Sequence, residues 1–288
     1  MRMPVHNPLI DSLAVIFGVA VIALLTIQWK WPLRRQHFST IRRWIRNWIV
    51  AVPSMLASRI ILVPIPFVIS LWATRQQFGL FHWLPIPPIL ATIFGVLLYD
   101  YAYYWWHMLM HLAPFFWRFH NVHHTDLDMD VTTASRFHLG EVLFSIFFRV
   151  AVVGLLGLNL WTLAIYELLF TLANQFEHSN WRLPIRLERV LNLVLVTPRM
   201  HGIHHSIVQR ETNSNWGTVF CWWDHLHHTL RLDVPQDAIT IGVAAYREET
   251  ELTFGRLFVL PFRKQRAWRL PDGAVPERPV GPAKELSP

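Results

Sequence analysis

The chain has 288 residues, of which 53% are hydrophobic and 16% are charged, and its formal net charge is +7. Soluble domains carry about a quarter charged residues, so this composition favours an integral membrane protein and argues against a string of soluble modules. The single cysteine, Cys221, excludes an internal disulfide and the cysteine-rich zinc modules. Any metal ion must therefore be held by histidine, asparagine or a carboxylate.

Apolar and basic segments alternate along the N-terminal part. The first apolar run, from about residue 8 to 28, approaches the roughly 20 residues that a membrane-crossing helix needs, and we expect it to be retained as an anchor. The segment WPLRRQHFSTIRRWIRNWI alternates tryptophan and isoleucine with arginine. This pattern is typical of a helix in the interfacial plane, with an ordinary charged loop as the alternative. A second span is predicted at about 48–72, interrupted by Arg59, Pro64 and Pro66.

The later apolar segments predict that the histidine-rich parts share one membrane face. A third span is expected at about 84–104, and the stretch 141–176 indicates two antiparallel helices joined near Gly154, Gly157 and Asn159. Two basic groups are expected to face the cytoplasm by the positive-inside rule. They are Lys30, Arg34, Arg35, Arg42, Arg43 and Arg46, and near the C-terminus Arg263, Lys264, Arg266 and Arg269. Counting crossings from the first group puts the histidines on the cytoplasmic side. Neither group has a recognition motif, so no nucleic-acid partner is expected.

Histidines occur in three clusters with helical spacing. The clusters are His107 and His111; His120, His123 and His124; and His201, His204 and His205. Spacings of three and four residues place side chains on one helix face, so the rings of each cluster can converge on one point. Asn174 and His178 form a further pair with a spacing of four. Some of these histidines could be structural polar groups, but unpaired buried polar groups cost several kcal/mol each, which a metal ion would remove.

The ligand chemistry favours two metal ions. Nine histidines without a thiolate exceed the needs of one ion and suit two first-row ions with four or five nitrogen ligands each. A structural zinc site would close with four ligands. The Glu-xx-His pairs of soluble carboxylate di-iron bundles are missing. Iron is therefore the expected metal, with zinc as a substitute in an isolated preparation.

These motifs resemble those of the fatty acid hydroxylase/sterol desaturase superfamily of membrane non-haem di-iron enzymes. That family has His-xxx-His, then His-xx-His-His, then His-xx-His-His, with the last two on either side of a membrane hairpin. The match extends through Arg136-Phe-His138-xx-Glu141, Asn215-Trp216-Gly217 and Trp223-Asp224. The resemblance covers roughly residues 84 to 262.

The resemblance implies an all-α fold: an integral membrane helical bundle with a cytoplasmic helical cap that holds a histidine-rich di-metal site. The implied ligands are His107, His111, His120, His123, His124, His178, His201, His204 and His205. The side chains expected to orient the imidazoles are Asp126, His138, Glu141, Asn174, Glu177, Asn215 and Asp224. Metal contact stays open for Asn174, where some relatives have histidine, and for His225, His227 and His228, which replace residues that are not ligands.

The function implied by the resemblance is O2-dependent hydroxylation or desaturation of a C–H bond in a lipid such as a sterol or a fatty acyl chain. The substrate would enter from the bilayer. Since the chain has no haem, flavin, nucleotide or iron–sulfur motif, electrons must come from an external donor of ferredoxin or cytochrome type. A non-redox zinc-dependent membrane hydrolase and a metal-handling membrane protein are the alternatives.

Three parts of the chain are predicted. Residues 1–83 form transmembrane and interfacial helices, residues 84–262 form a fatty acid hydroxylase/sterol desaturase-like catalytic domain, and residues 263–288 form a basic, Pro-rich disordered tail. The expected location is a multi-pass position in a bacterial inner membrane, or in the endoplasmic reticulum of a eukaryote.

Overall fold

The structure is a computed structural model that describes residues 8–278, with side chains from residue 18 onwards. These residues form α-helices and short helical turns without a named strand, which confirms the all-α prediction for this part of the chain. The helices are α1 Pro8–Lys30, α2 Thr40–Ala57, α3 Pro64–Gln76, α4 Leu80–Trp83, α5 Pro88–Leu112, α6 Pro114–His124, α7 Leu139–Leu156, α8 Leu160–His178, α9 Ile185–Leu191, α10 Pro198–His204, α11 Gln209–Thr212, α12 Trp222–Leu226 and α13 Phe254–Val259. Three isolated antiparallel bridges, such as Leu195 with Phe220, join connecting segments.

Two helical stretches in the described chain are long and apolar enough to cross a membrane, namely Thr40–Trp83 and Leu139–Leu156. The first contains the predicted second span and is broken by a π-helical turn at Ser58–Leu62. Val63 N donates to Ser58 O at 2.9 Å, and Pro64 follows without an N–H to continue the helix. The span predicted at 84–104 lies in α5, which is not one of the two stretches.

The predicted interfacial helix is not separate from the second span, because residues 40–57 form the single helix α2. Arg43 on this helix is fully buried, whereas the charge pattern placed it in a basic connection that faces the cytoplasm. Its guanidinium donates to both carboxylate oxygens of Asp126 at 2.9 Å and to Asp130 Oδ2 at 2.9 Å. The acidic loop after α6 therefore neutralises this arginine inside the protein and ties α2 to the histidine-bearing region.

Helices α7 and α8 form the predicted hairpin. Gly157 ends α7 with φ +66°, and the Asn159 side chain caps α8 by accepting from Thr162 N at 2.9 Å. The hairpin turn packs so closely on the turn after α3 that a Cβ on Gly79 would lie 2.4 Å from Gly157 N. Glycine is required at this contact because both backbones approach directly.

The apolar core has two main parts. One lies between α5, α7 and α8 and includes the fully buried Tyr99, Leu163 and Tyr166. The other lies beneath α6 and includes Val122 and Leu257. The C-terminal ends of α5 and α8 meet α6 and α10 between these parts, which brings the histidine-bearing segments to one end of the bundle.

The C-terminal segment differs from the predicted disordered tail as far as the structure describes it. Trp268 Nε1 donates to Ile207 O at 2.6 Å, and its ring packs 5.7 Å from that of Trp117. Arg278 pairs with the buried Glu211 at 2.7 Å. These apolar and ionic contacts order residues that composition alone assigned to a tail, and residues 279–288 lie outside the described part.

Candidate metal centre

The structure brings all nine histidines of the predicted ligand set together in two groups. The five-histidine group consists of His107, His111, His120, His124 and His204. The four-histidine group consists of His123, His178, His201 and His205. Within each group the candidate ligand nitrogens lie within 4.8 Å of one another. Helices α6 and α10 contribute to both groups, because each His-xx-His-His motif sends its rings to two neighbouring centres.

The Nε2 atoms are spaced as ligands of a common ion would be. His178 Nε2 lies 3.0 Å from the Nε2 atoms of both His123 and His201. In the five-histidine group, His120 and His124 approach to 3.2 Å through the same atoms. Two nitrogens bound at right angles to one ion, each at its usual bond length, are about 3 Å apart. The geometry of both groups therefore fits metal binding through Nε2.

Three imidazoles are oriented by backbone carbonyl oxygens at their outer nitrogen. His107 Nδ1 lies 3.0 Å from Trp216 O, and His204 Nδ1 lies 2.8 Å from Ser214 O. His178 Nδ1 lies 2.8 Å from Asn174 O. Since a carbonyl oxygen only accepts, these nitrogens carry the proton, and each Nε2 presents its lone pair to the group.

Several ring nitrogens in the two groups are buried without a hydrogen-bond partner. His111 has neither nitrogen partnered, and His204 lacks a partner at Nε2. An unsatisfied buried polar atom costs on the order of 1 to 3 kcal/mol, so such a concentration needs a compensating ligand. A cation accepting the lone pairs fits this requirement and fits a donor set made wholly of imidazoles.

The histidines are held in the neutral form that binds metals. Burial lowers the pKa of His178 and of His204 to about 3. Burial, reinforced by the neighbouring imidazoles, also lowers the pKa of His111 and of His205 well below the ordinary value. At neutral pH these rings keep their lone pairs available, and no deprotonation is needed before an ion binds.

Three of the residues expected to orient imidazoles lie beside the histidines. Glu141 Oε1 lies 2.8 Å from His120 Nδ1 and is its direct acceptor. Glu177 Oε1 lies 3.6 Å from His178 Nδ1. Asn174 acts on His178 through its backbone oxygen, because its side chain donates to Ala134 O at 2.9 Å instead.

The other four expected residues lie further from the histidines and support them indirectly. Burial opposes ionisation of Asp126, but the Arg43 guanidinium outweighs it and holds the pKa of that carboxyl well below its usual range. Asp126 thus fixes the loop after α6 rather than an imidazole. His138 caps α7 by accepting from Gly140 N at 2.9 Å, and so positions the helix that carries Glu141.

Asp224 and Asn215 shape the backbone that holds two imidazoles. Asp224 accepts from the backbone N–H groups of Trp216 and Gly217, each at 2.8 Å, and Trp216 is the residue whose carbonyl contacts His107. Asn215 adopts φ +56° and donates to Met200 O at 2.9 Å on α10. The carbonyl acceptors of Ser214 and Trp216 could not be predicted from the sequence, because every residue type has a backbone carbonyl oxygen.

The extra histidines at the end of α12 and directly after it do not join either metal group. His225 and His228 are exposed. His227 Nε2 lies 3.0 Å from Tyr101 Oη, and its ring stacks 5.1 Å from that of Tyr104. The His227 ring therefore forms an aromatic contact between the segment after α12 and the tyrosines of α5.

A cavity of about 290 Å³ leads from the two histidine groups into the hydrophobic bundle. Apolar side chains from α5, α7 and α8 form much of its wall, including Trp106, Val142 and Phe170. Its lining also includes His107, His120, His123, His178 and His201, together with Val63, which is 40% exposed. Rings of both groups thus border one apolar space.

The fold and the site define a class: a helical protein that places two adjacent histidine groups at the end of an apolar cavity. The family model for fatty acid hydroxylase matches residues 92–229, which include all nine of these histidines. This match, together with curated relatives that include lipid hydroxylases, confirms the resemblance that the motifs predicted.

The curated relatives act on different lipids. An ornithine lipid hydroxylase, OlsE, of Rhizobium tropici is 30% identical over 54% of this chain and 46% of its own length. A very-long-chain aldehyde decarbonylase, GL1-8, of Oryza sativa subsp. indica is 28% identical over 59% of this chain and 64% of its own. Human cholesterol 25-hydroxylase is 27% identical over 53% of this chain and 60% of its own. The matches thus span about half to two thirds of these relatives. No solved structure gives a significant match.

Proposed function

We propose that the protein is a membrane-bound, non-haem di-iron oxygenase that hydroxylates or desaturates a C–H bond of a lipid. The observation that carries this proposal is the pair of histidine groups at the end of an apolar cavity. An apolar substrate in that cavity would have its reacting carbon beside both groups. The names of the curated relatives, two hydroxylases and an aldehyde decarbonylase, agree with lipid chemistry at such a site.

The nine histidines would hold two iron ions, one in each group, with Glu141 and the carbonyls of Asn174, Ser214 and Trp216 keeping the rings in place. Iron held there would supply the redox chemistry of hydroxylation, in which O2, two electrons and two protons place one oxygen atom in the C–H bond and release the other as water. The protein's own part is to orient the lipid and exclude water from the reacting carbon. The apolar cavity wall serves both purposes.

The proposal places the protein in a membrane as a multi-pass helical bundle with residues 84–262 as its catalytic domain. The two long apolar stretches support insertion, and their outer surfaces expose large apolar side chains such as Ile60 and Phe147. The histidine end would face the cytoplasm, where a ferredoxin- or cytochrome-type donor would supply electrons. The substrate would enter from the bilayer beside Val63 in the cavity lining.

Turnover with labelled oxygen tests the proposal. Membranes containing the protein are supplied with a reducing system and a total lipid extract, under 18O2 or under nitrogen, and the lipids are analysed by mass spectrometry. A hydroxylated product carrying 18O, formed only with O2 and reductant, is expected. A desaturated product that likewise needs both would assign the second reaction. Activity that persists under nitrogen with zinc alone would replace the oxygenase by a hydrolase.

A further inference from the structure

A largely buried ion pair lies in the wall of the cavity. Arg149 on α7 is 4% exposed, and its Nη1 donates to Glu167 Oε1 on α8. Both side chains line the cavity. Charged groups within an apolar membrane helix are costly and are a mark of function, because a hydrophobic pair of similar size would pack as well or better.

The pair leaves a hydrogen-bond donor without a protein partner. Arg149 Nε is buried and makes no hydrogen bond, although Nη1 of the same guanidinium donates to Glu167 and its central carbon lies 5.4 Å from the centroid of the Tyr103 ring. Glu167 compensates the charge of Arg149, so the site does not demand an anion. What it lacks is a neutral oxygen that accepts from Nε, such as a hydroxyl or a carbonyl.

One face of α7 carries both this donor and the residue that contacts the metal centre. Glu141, Ser145 and Arg149 line the cavity at a spacing of four residues, and therefore lie on one face. Glu141 contacts His120 of the five-histidine group. The eight residues from Glu141 to Arg149 correspond to about 12 Å along the helix axis.

The geometry points to Arg149 as a specificity-determining residue that binds an acceptor oxygen of the lipid and fixes which carbon reacts. This inference rests on the proposed function. The substrate is then an apolar lipid with a neutral hydroxyl or carbonyl group, and its oxidised carbon lies at a fixed distance from that oxygen, on the order of the rise from Glu141 to Arg149 along α7. A plain hydrocarbon would leave Arg149 Nε unpaired and would slide in the cavity.

Binding can be measured without turnover. The purified, detergent-solubilised holoprotein is titrated with tetradecan-1-ol or with tetradecane, and the rise in melting temperature gives each affinity. A hydrogen bond to a charged donor predicts about a tenfold or larger preference for the alcohol. Arg149→Met should abolish the preference, whereas Arg59→Met, at an exposed position on the π-helical turn, should keep it.

A double substitution covers the case in which Arg149→Met leaves Glu167 unpaired and the protein unfolds. Arg149→Met with Glu167→Met removes both charges and should fold while losing the preference for the alcohol. No preference in the wild-type protein, or an unchanged preference in the double variant, would overturn the inference. Either result concerns binding alone and leaves the oxygenase proposal standing.

Product position supplies the second readout. Moving the hydroxyl two carbons along the chain, from tetradecan-1-ol to tetradecan-3-ol, should move the oxidised carbon two positions in the same direction. In the Arg149→Met variant the products should spread over several carbons. An oxidised carbon that stays at a constant distance from the chain end would show that the cavity wall, and not Arg149, sets the position. Absence of any oxidation, with the binding preference intact, would count against the proposed function only.

Discussion

Glu141 offers a sharp test of how the protein maintains its metal centre. Its carboxylate accepts from His120 Nδ1 at 2.8 Å, and His120 belongs to the five-histidine group. Glu141→Leu removes the acceptor, because it replaces the carboxylate with an apolar side chain of similar size. Glu141→Gln keeps an oxygen acceptor and serves as the matched control. We expect the leucine variant to weaken the five-histidine group and leave the four-histidine group unchanged.

The expected size of this effect follows from the contact that is lost. Removing a partner that orients a metal-binding histidine typically lowers metal affinity 10- to 100-fold, which corresponds to about 1.4 to 2.7 kcal/mol. His178 in the other group keeps its own acceptor, the Asn174 carbonyl at 2.8 Å. The loss should therefore concern one ion, and the glutamine variant should retain most of the affinity.

Chelator titration followed by elemental analysis distinguishes the two ions. In the Glu141→Leu variant, one ion per chain should leave at a 10- to 100-fold lower chelator concentration than in the wild-type protein, and the second should leave at the wild-type concentration. Equal weakening of both ions would mean that the groups do not act as separate centres. Unchanged release of both would refute the role of Glu141 in holding His120.

Three further predictions concern stability. Arg43→Met leaves the buried Asp126 without its partner and should lower the free energy of unfolding by about 3 to 5 kcal/mol, measured by denaturant titration. Gly157→Ala, at φ +66° and with Phe78 O 2.6 Å from the new Cβ, should lower the melting temperature, whereas Gly255→Ala meets no atom within 4 Å and should not. The metal-free protein should lose stability as the pH falls below about 6.5, because unfolded histidines then bind protons that folded His204, with its pKa lowered to about 3, does not. Greater stability at pH 5.5 than at pH 7.5 would contradict this.

The sequence was most informative where spacing decides geometry. Rings three and four residues apart on a helix share a face, so the His-xx-His-His motifs predicted convergence before any tertiary contact was known. Local signals also located the hairpin turn, because Gly157 accommodates a positive φ and Asn159 caps the following helix. How each motif divides its rings between two groups required the packing of α6 against α10.

Contacts between distant segments could not be read from residue patterns. In the sequence Arg43 resembles an exposed basic residue. Only the fold shows that it is buried and pairs with Asp126, 83 positions later. The backbone acceptors of Ser214 and Trp216 depend on how a loop closes over α5 and α10. The pairing of Arg149 with Glu167 did have a signal, since Arg149 lies nine residues before Leu158 in the hairpin turn and Glu167 lies nine residues after it.

The iron content of three proteins tests the central claim, that two adjacent centres each hold one ion. Purified wild-type protein reconstituted with ferrous iron should bind two ions per chain. His204→Ala should lose the ion of the five-histidine group and His205→Ala that of the four-histidine group, so each variant should keep one. A wild-type content of one ion, or variants that both retain two, would contradict the account.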